Sequence, residues 1–218
     1  KPGPPPGPAK GEEGEEPPDT DLHLNPLLFG LDGASELSGA GASYVLARAL
    51  ETEEGANKDL AALAVVGAVG DMQDTDGGLV GANEGIVAEG VEAGVIEEVT
   101  DISLYGRQTR PLPKLLEYAS ELRIPGISGD ESGSIRFLSG LDVDLKVDGD
   151  WRRWVDLSFE ERQAVASALM RHAIDRGVPP ERVNSVTTTT YTLSDEEVGT
   201  ELRDVSEFST VLNATARY

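Results

Sequence analysis

The chain has 218 residues, 39% of them hydrophobic, which suits one large or two small domains with a real core. With no Cys and only His23 and His172, it excludes a disulfide framework, thiolate metal sites and a zinc-type cluster, so any metal must sit among carboxylates, as magnesium or manganese does. Forty acidic residues against eighteen basic ones, five of them Lys, give a formal charge of -22, a surface that repels nucleic acid at ordinary salt.

Either avoidance of polyanions or adaptation to high salt would produce such a charge. The acid is spread along the chain and the Arg residues are clustered, which favours salt adaptation. Neither a secretory signal nor a membrane span is recognisable, so the cytoplasm is the expected compartment. The first residue is Lys1 rather than Met, as expected of a processed product or an excised piece.

Residues 1–21 hold seven of the thirteen prolines and the acidic block Glu12, Glu13, Glu15 and Glu16, and read as a solvated linker. Order is expected from Leu22. Asp32-Gly33 marks a turn, and Leu37, Ala40, Tyr44, Ala47 and Leu50 line one face of a helix over 36–51. Its start, Ser38-Gly39-Ala40-Gly41, lacks the Lys of a P-loop and points to close helix packing rather than a phosphate cradle. The apolar run from Leu60 to Gly70 predicts a buried helix that delivers Asp71 at its C-terminal end. There the helix dipole favours a cation, so Asp71 reads either as a metal ligand or as a plain turn residue.

A polar turn over Asp74–Gly78 precedes a second helix to about Gly90, and a short strand is expected over 101–106. Three of the eighteen basic residues, Arg107, Arg110 and Lys114, then fall within eight positions. Phosphate contact and ion pairing with nearby carboxylates are both open to them. Helix follows from Pro111, and Ser128 with Glu131 suggests a capping box for another helix. Asp148-Gly149 signals a hairpin, with Trp151 and Trp154 on the return strand. Lys146 breaks the calcium-loop spacing of Asp142, Asp144, Asp148 and Asp150. Ser158 and Glu161 form a second capping box for an amphipathic helix over 159–176, on whose apolar face His172 reads as a packed side chain. A strand over 186–193 and a helix around Phe208, Val211 and Leu212 complete the chain, whose end at Tyr218 looks cut.

Taken together in this order, Leu24-Asn25-Pro26 to Gly33, Ser38 to Gly41, Gly67-Ala68-Val69-Gly70-Asp71-Met72-Gln73, Leu104 to Lys114, Pro125 to Gly129 and Glu207 to Asn213 resemble the archaeal RecJ-like nucleases of the DHH phosphoesterase superfamily, in a halophilic version. The resemblance implies an α/β protein. Residues 22–106 would be the C-terminal part of a DHH parallel-sheet domain, 107–178 a mainly helical connector, and 179–218 the truncated start of a DHHA1 domain. It also implies two manganese (or magnesium) ions with Asp71 as one of their ligands, and puts Arg107 and Arg110 in a family motif; Arg107, Arg110 and Lys114 are the residues expected at the substrate. Three functions are compatible with it: an exonuclease on single-stranded DNA or RNA in replication or repair, a phosphodiesterase for short oligonucleotides or cyclic dinucleotides, and a non-catalytic scaffold for the GINS replication complex. The Asp-His-His signature is missing from these residues, Glu84 and Gly85 replace an Arg-containing pattern after Asn83, and Ala216 stands where Gly is expected. One ligand, Asp71, thus represents a larger set, and the chain alone is expected to be inactive.

Overall fold

The computed structural model describes residues 24–74, 77–119 and 122–216. The expected linker over 1–21 lies outside them. In chain order the helices are α1 (Gly39–Ala49), α2 (Ala61–Gly70), α3 (Ala82–Glu92), α4 (Leu112–Glu117), α5 (Glu131–Ser139), α6 (Phe159–Asp175), α7 (Pro180–Asn184) and α8 (Val205–Thr215). The strands are β1 (Ile96–Ile102), β2 (Lys146–Val147), β3 (Asp150–Trp151) and β4 (Thr187–Leu193). No described helix is long and apolar enough to cross a membrane.

Two buried clusters organise the chain. The first centres on α2, whose Ala and Val side chains leave it with almost no polar face, and such a helix is stable only between other elements. It packs against α1, α3 and α8, while α3 and α8 rest in turn on β1 and β4. Ala64, Val65, Val66 and Val69 of α2 share this core with Tyr44, Ile86, Val87, Tyr191 and Val205. Close approach of α1 to α2 depends on Gly67, where a Cβ would overlap the Cβ of Ala40. Ser38 is fully buried and caps α1 by accepting the Gly41 N–H at 3.0 Å. The glycine-rich start of α1 therefore serves packing, as its composition suggested.

The second cluster fills the space among α4, α5, α6 and α7, around Leu112, Leu115, Leu116, Leu138, Leu169 and Trp154. Ser158 and Glu161 form the expected capping box at the start of α6. Asp148 (φ 52°) and Gly149 (φ 95°) make the two-residue turn between β2 and β3.

Several expectations are corrected. Both sheets among the described residues are two-stranded and antiparallel, in place of the parallel sheet expected. The first strand occupies 96–102 rather than 101–106, with Ile96 opposite Leu193 and Ile102 opposite Thr187. The chain leaves the ribbon at Ile102 and re-enters it on the facing residue, a topology that makes the pair antiparallel. Consequently β4 and α8, expected to open a separate lobe, return to the α2 core. Asp130, not Ser128, caps α5 by accepting the Gly133 N–H at 3.0 Å, and Ser128 instead ties the loop through Ile124 N and Leu122 O. Trp154 lies in a 3-10 turn, with its indole N–H on Asp101.

Gly67 and Gly85 both sit inside helices, but only Gly67 faces a neighbour, since a Cβ at Gly85 meets nothing within 4 Å. Gly67→Ala is expected to lower stability by about 1–3 kcal/mol through overpacking, and Gly85→Ala to raise it by up to about 1 kcal/mol through helix propensity. Urea unfolding midpoints of the two variants should therefore move in opposite directions.

Candidate functional site

The end of α2 is closed by three backbone bonds, Asp71 N–H to Gly67 O (3.0 Å), Met72 N–H to Val69 O (2.9 Å) and Gln73 N–H to Ala68 O (3.1 Å). Met72 takes the left-handed conformation that closes such a turn, with φ 59°, although it is not glycine. This strained turn fixes Asp71, whose side chain is exposed beside a cleft of about 240 Å³ between α2 and α8. Ser209 and Asn213 of α8 line the other side, and the Asn213 amide donates to Gly70 O at 3.2 Å.

Two residues past Asp71, the Gln73 amide donates to Gly33 O at 3.0 Å and accepts from Asn83 Nδ2 at 2.7 Å. The Asn83 N–H reaches Glu36 O at 3.0 Å. The Asp32-Gly33 turn, the residues after Asp71 and the start of α3 thus meet at one place, although they lie tens of positions apart in sequence. Asn83 Oδ1 is buried there without a partner among the described residues. Asp74 is half-buried, and that burial pushes its carboxyl above the usual aspartate range.

The sequence-predicted basic residues separate into three environments. Arg107 is 7% exposed and bound between Asp204 and Asp101, the latter at 3.6 Å. It is an internal strut, with its charge neutralised at both ends. Lys114 bridges Glu117 at 2.8 Å and Glu131 at 3.0 Å, and these carboxylates hold its proton well above the ordinary lysine range. Arg110 has no carboxylate partner among the described residues and stacks over Tyr105 and Tyr118, at 4.9 and 5.0 Å from the ring centroids. His172 packs at the rim of the second core, edge-on to Phe137 at 5.4 Å and 3.2 Å from Pro125 O.

Sequence reading gave no role to Asp204 and Glu207. Asp204 caps α8 by accepting the N–H groups of Ser206 (2.9 Å) and Glu207 (3.1 Å) while pairing with Arg107. Glu207, fully buried, accepts Gln108 N–H at 2.9 Å and the Thr109 hydroxyl at 2.6 Å. The first turn of α8 is thereby clamped to the loop that follows β1. The Asp-x-x-Glu spacing was a signal available in the sequence, since it is that of a helix start.

Burial raises the Glu207 carboxyl above the ordinary glutamate range, while the bonds from Thr109 and Gln108 pull it the other way. A folded-state value above the unfolded one means stability that is complete below the ordinary glutamate pKa and lost as pH rises through the raised value. Glu207→Gln can keep both bonds without the buried charge. Its unfolding midpoint should match that of the parent chain near pH 4 and exceed it increasingly toward pH 8; an advantage that grows on acidification would contradict this.

Residues 104–187 match the DHH-CID domain family. The chain is also 33% identical over 123 residues, 56% of its length, to an uncharacterized protein of Methanocaldococcus jannaschii, and the matched stretch spans 26% of that relative. The match begins just after β1 ends and closes as β4 begins, so the unit enters and leaves through two residues that face each other across the ribbon. Residues 104–187 thus match the DHH-CID family and lie between the two strands of the β1–β4 ribbon, while Asp71 stands at the end of α2.

Proposed function

We propose that this chain is part of a divalent-metal-dependent phosphodiesterase of the DHH superfamily, an exonuclease acting on single-stranded nucleic acid in replication or repair, in which Asp71 is one metal ligand. The observation that carries this reading is the DHH-CID match over 104–187, set beside an exposed carboxylate at the C-terminal end of an otherwise apolar helix. The negative end of the α2 dipole makes the position favourable for a cation. The absence of thiols points to manganese or magnesium as the ion.

Among the described residues no three His, Asp or Glu side chains converge, so these residues alone do not fit a metal centre. In this reading the remaining ligands come from sequence outside the chain, and Asp71 contributes a single carboxylate from the α2 side. The cleft between α2 and α8 gives that carboxylate an open approach, bordered by Ser209 and Asn213.

Two measurements test the assignment. The 218-residue chain alone, incubated with manganese and end-labelled oligo(dT), is expected to release no nucleotide. In the intact protein that contains it, Asp71→Ala should leave folding unchanged, because the side chain is exposed, and lower hydrolysis by about 100-fold or more, the order lost with a group that stabilises developing charge. An unaltered rate in that variant removes Asp71 from the site. Rates that rise from dinucleotides to long strands mark the exonuclease, and the opposite trend marks a short-oligonucleotide phosphodiesterase.

A further inference from the structure

Charge is distributed very unevenly along this acidic chain. Residues 104–187 carry 13 carboxylates against 12 Lys and Arg, a net of -1, while all other residues together carry -21. A polyanion therefore meets its smallest repulsion on the inserted domain. Within that domain Arg110 is half-buried, yet its guanidinium makes one hydrogen bond among the described residues, to Tyr105 O at 3.3 Å. Arg203, also half-buried and without an ion pair among the described residues, spends its guanidinium on the Ser194 and Glu196 carbonyls at 2.6 and 2.7 Å.

The position of Arg110 is built into the backbone. Gly106 has φ 99°, and a Cβ there would overlap the Arg110 Cδ, so the loop folds back only with glycine at this point. Tyr105 and Tyr118 then hold the guanidinium against their rings, and Tyr118 remains 56% exposed. Such stacking orients the planar fork while leaving its remaining N–H donors for an anion. An exposed aromatic face beside an oriented cation is what a single strand needs, since its bases are free to stack and its phosphates follow at short intervals.

We propose that Arg110 and Tyr118 form a seat for one nucleotide of a single-stranded nucleic acid, with the guanidinium on a backbone phosphate and the exposed tyrosine ring under a base. It deepens the phosphodiesterase reading and rests on it only for the identity of the anion. Arg107 lies outside the seat, and Lys114, whose ammonium stands 5.7 Å from the Tyr118 ring centroid, borders it with its charge already neutralised by Glu117 and Glu131.

The test is binding of fluorescein-labelled oligo(dT) to the 218-residue chain, followed by anisotropy at several salt concentrations, with thermal melting as the folding control. Arg110→Ala should weaken binding about 10-fold and reduce the slope of log K against log salt by about 0.7, the contribution of one single-strand phosphate. Tyr118→Ala should weaken it at least about 5-fold, and Tyr118→Phe, which keeps the ring, should bind as the parent does. Arg136→Ala removes the same charge from an exposed site on α5 and should have little effect. Equal losses in Arg110→Ala and Arg136→Ala overturn the seat. So does inorganic phosphate, or oligo(Glu), held at Arg110 as tightly as the oligonucleotide. Because the readout is binding, hydrolysis by the intact protein that is indifferent to Arg110→Ala retires the seat alone. Loss of binding in Arg110→Ala beside an intact protein that hydrolyses nothing retires only the phosphodiesterase reading.

Discussion

The buried clamp between the first turn of α8 and the loop after β1 holds the two parts of this protein in register. Arg107 lies between Asp101 and Asp204, and Glu207 accepts two bonds from Gln108 and Thr109, all of them largely shielded from water. A buried ion pair contributes little net stability because desolvation offsets its attraction, but removing one partner leaves an uncompensated charge. The clamp therefore acts chiefly on geometry. It fixes where α8 begins, and α8 forms the wall of the cleft beside Asp71. The first turn of α8 thus links the loop after β1 to the Asp71 face, beside the connection through the β1–β4 ribbon.

The other constraint is steric. An α2 made of Ala, Val and Gly can approach α1 closely only because Gly67 presents no Cβ to Ala40. The same helix has no polar residue until Asp71, so its carboxylate appears where the apolar run stops. Met72 in the left-handed region stores strain of about 1–2 kcal/mol at that point. A turn held against its own preference, immediately after the exposed carboxylate, suits a side chain whose position matters more than the stability of its turn.

Local signals in the sequence translated well. The Ser158–Glu161 box, the Asp148-Gly149 turn and the α2 run each depend on neighbours within a few residues, and each formed at or near its expected place. Failures came where distant residues decide. Nothing local to Thr187–Leu193 reveals that it pairs with Ile96–Ile102 across the inserted domain, and that pairing is what sends α8 back to the first core. Ser128 lost its capping role because Asp130 stands nearer the helix and its carboxylate reaches Gly133 N–H first. The basic cluster was visible as an anomaly in an acidic chain. Its division into a strut, a bridged lysine and a stacked arginine depends on partners at Asp204, Glu131 and Tyr118 that spacing does not disclose.

Charge segregation bears on how the two regions could cooperate. With -21 outside the inserted domain, long-range attraction cannot draw a polyanion to Asp71, and at low salt the field there opposes it. In the proposed seat, stacking on the exposed Tyr118 would be short-ranged and survive screening, whereas repulsion from the acidic body weakens as the Debye length shrinks to about 3 Å at 1 M salt. Rising salt thus removes the obstacle faster than it would remove the proposed seat. In the proposed reading a strand would meet the near-neutral domain first, an order that follows from the charge pattern alone.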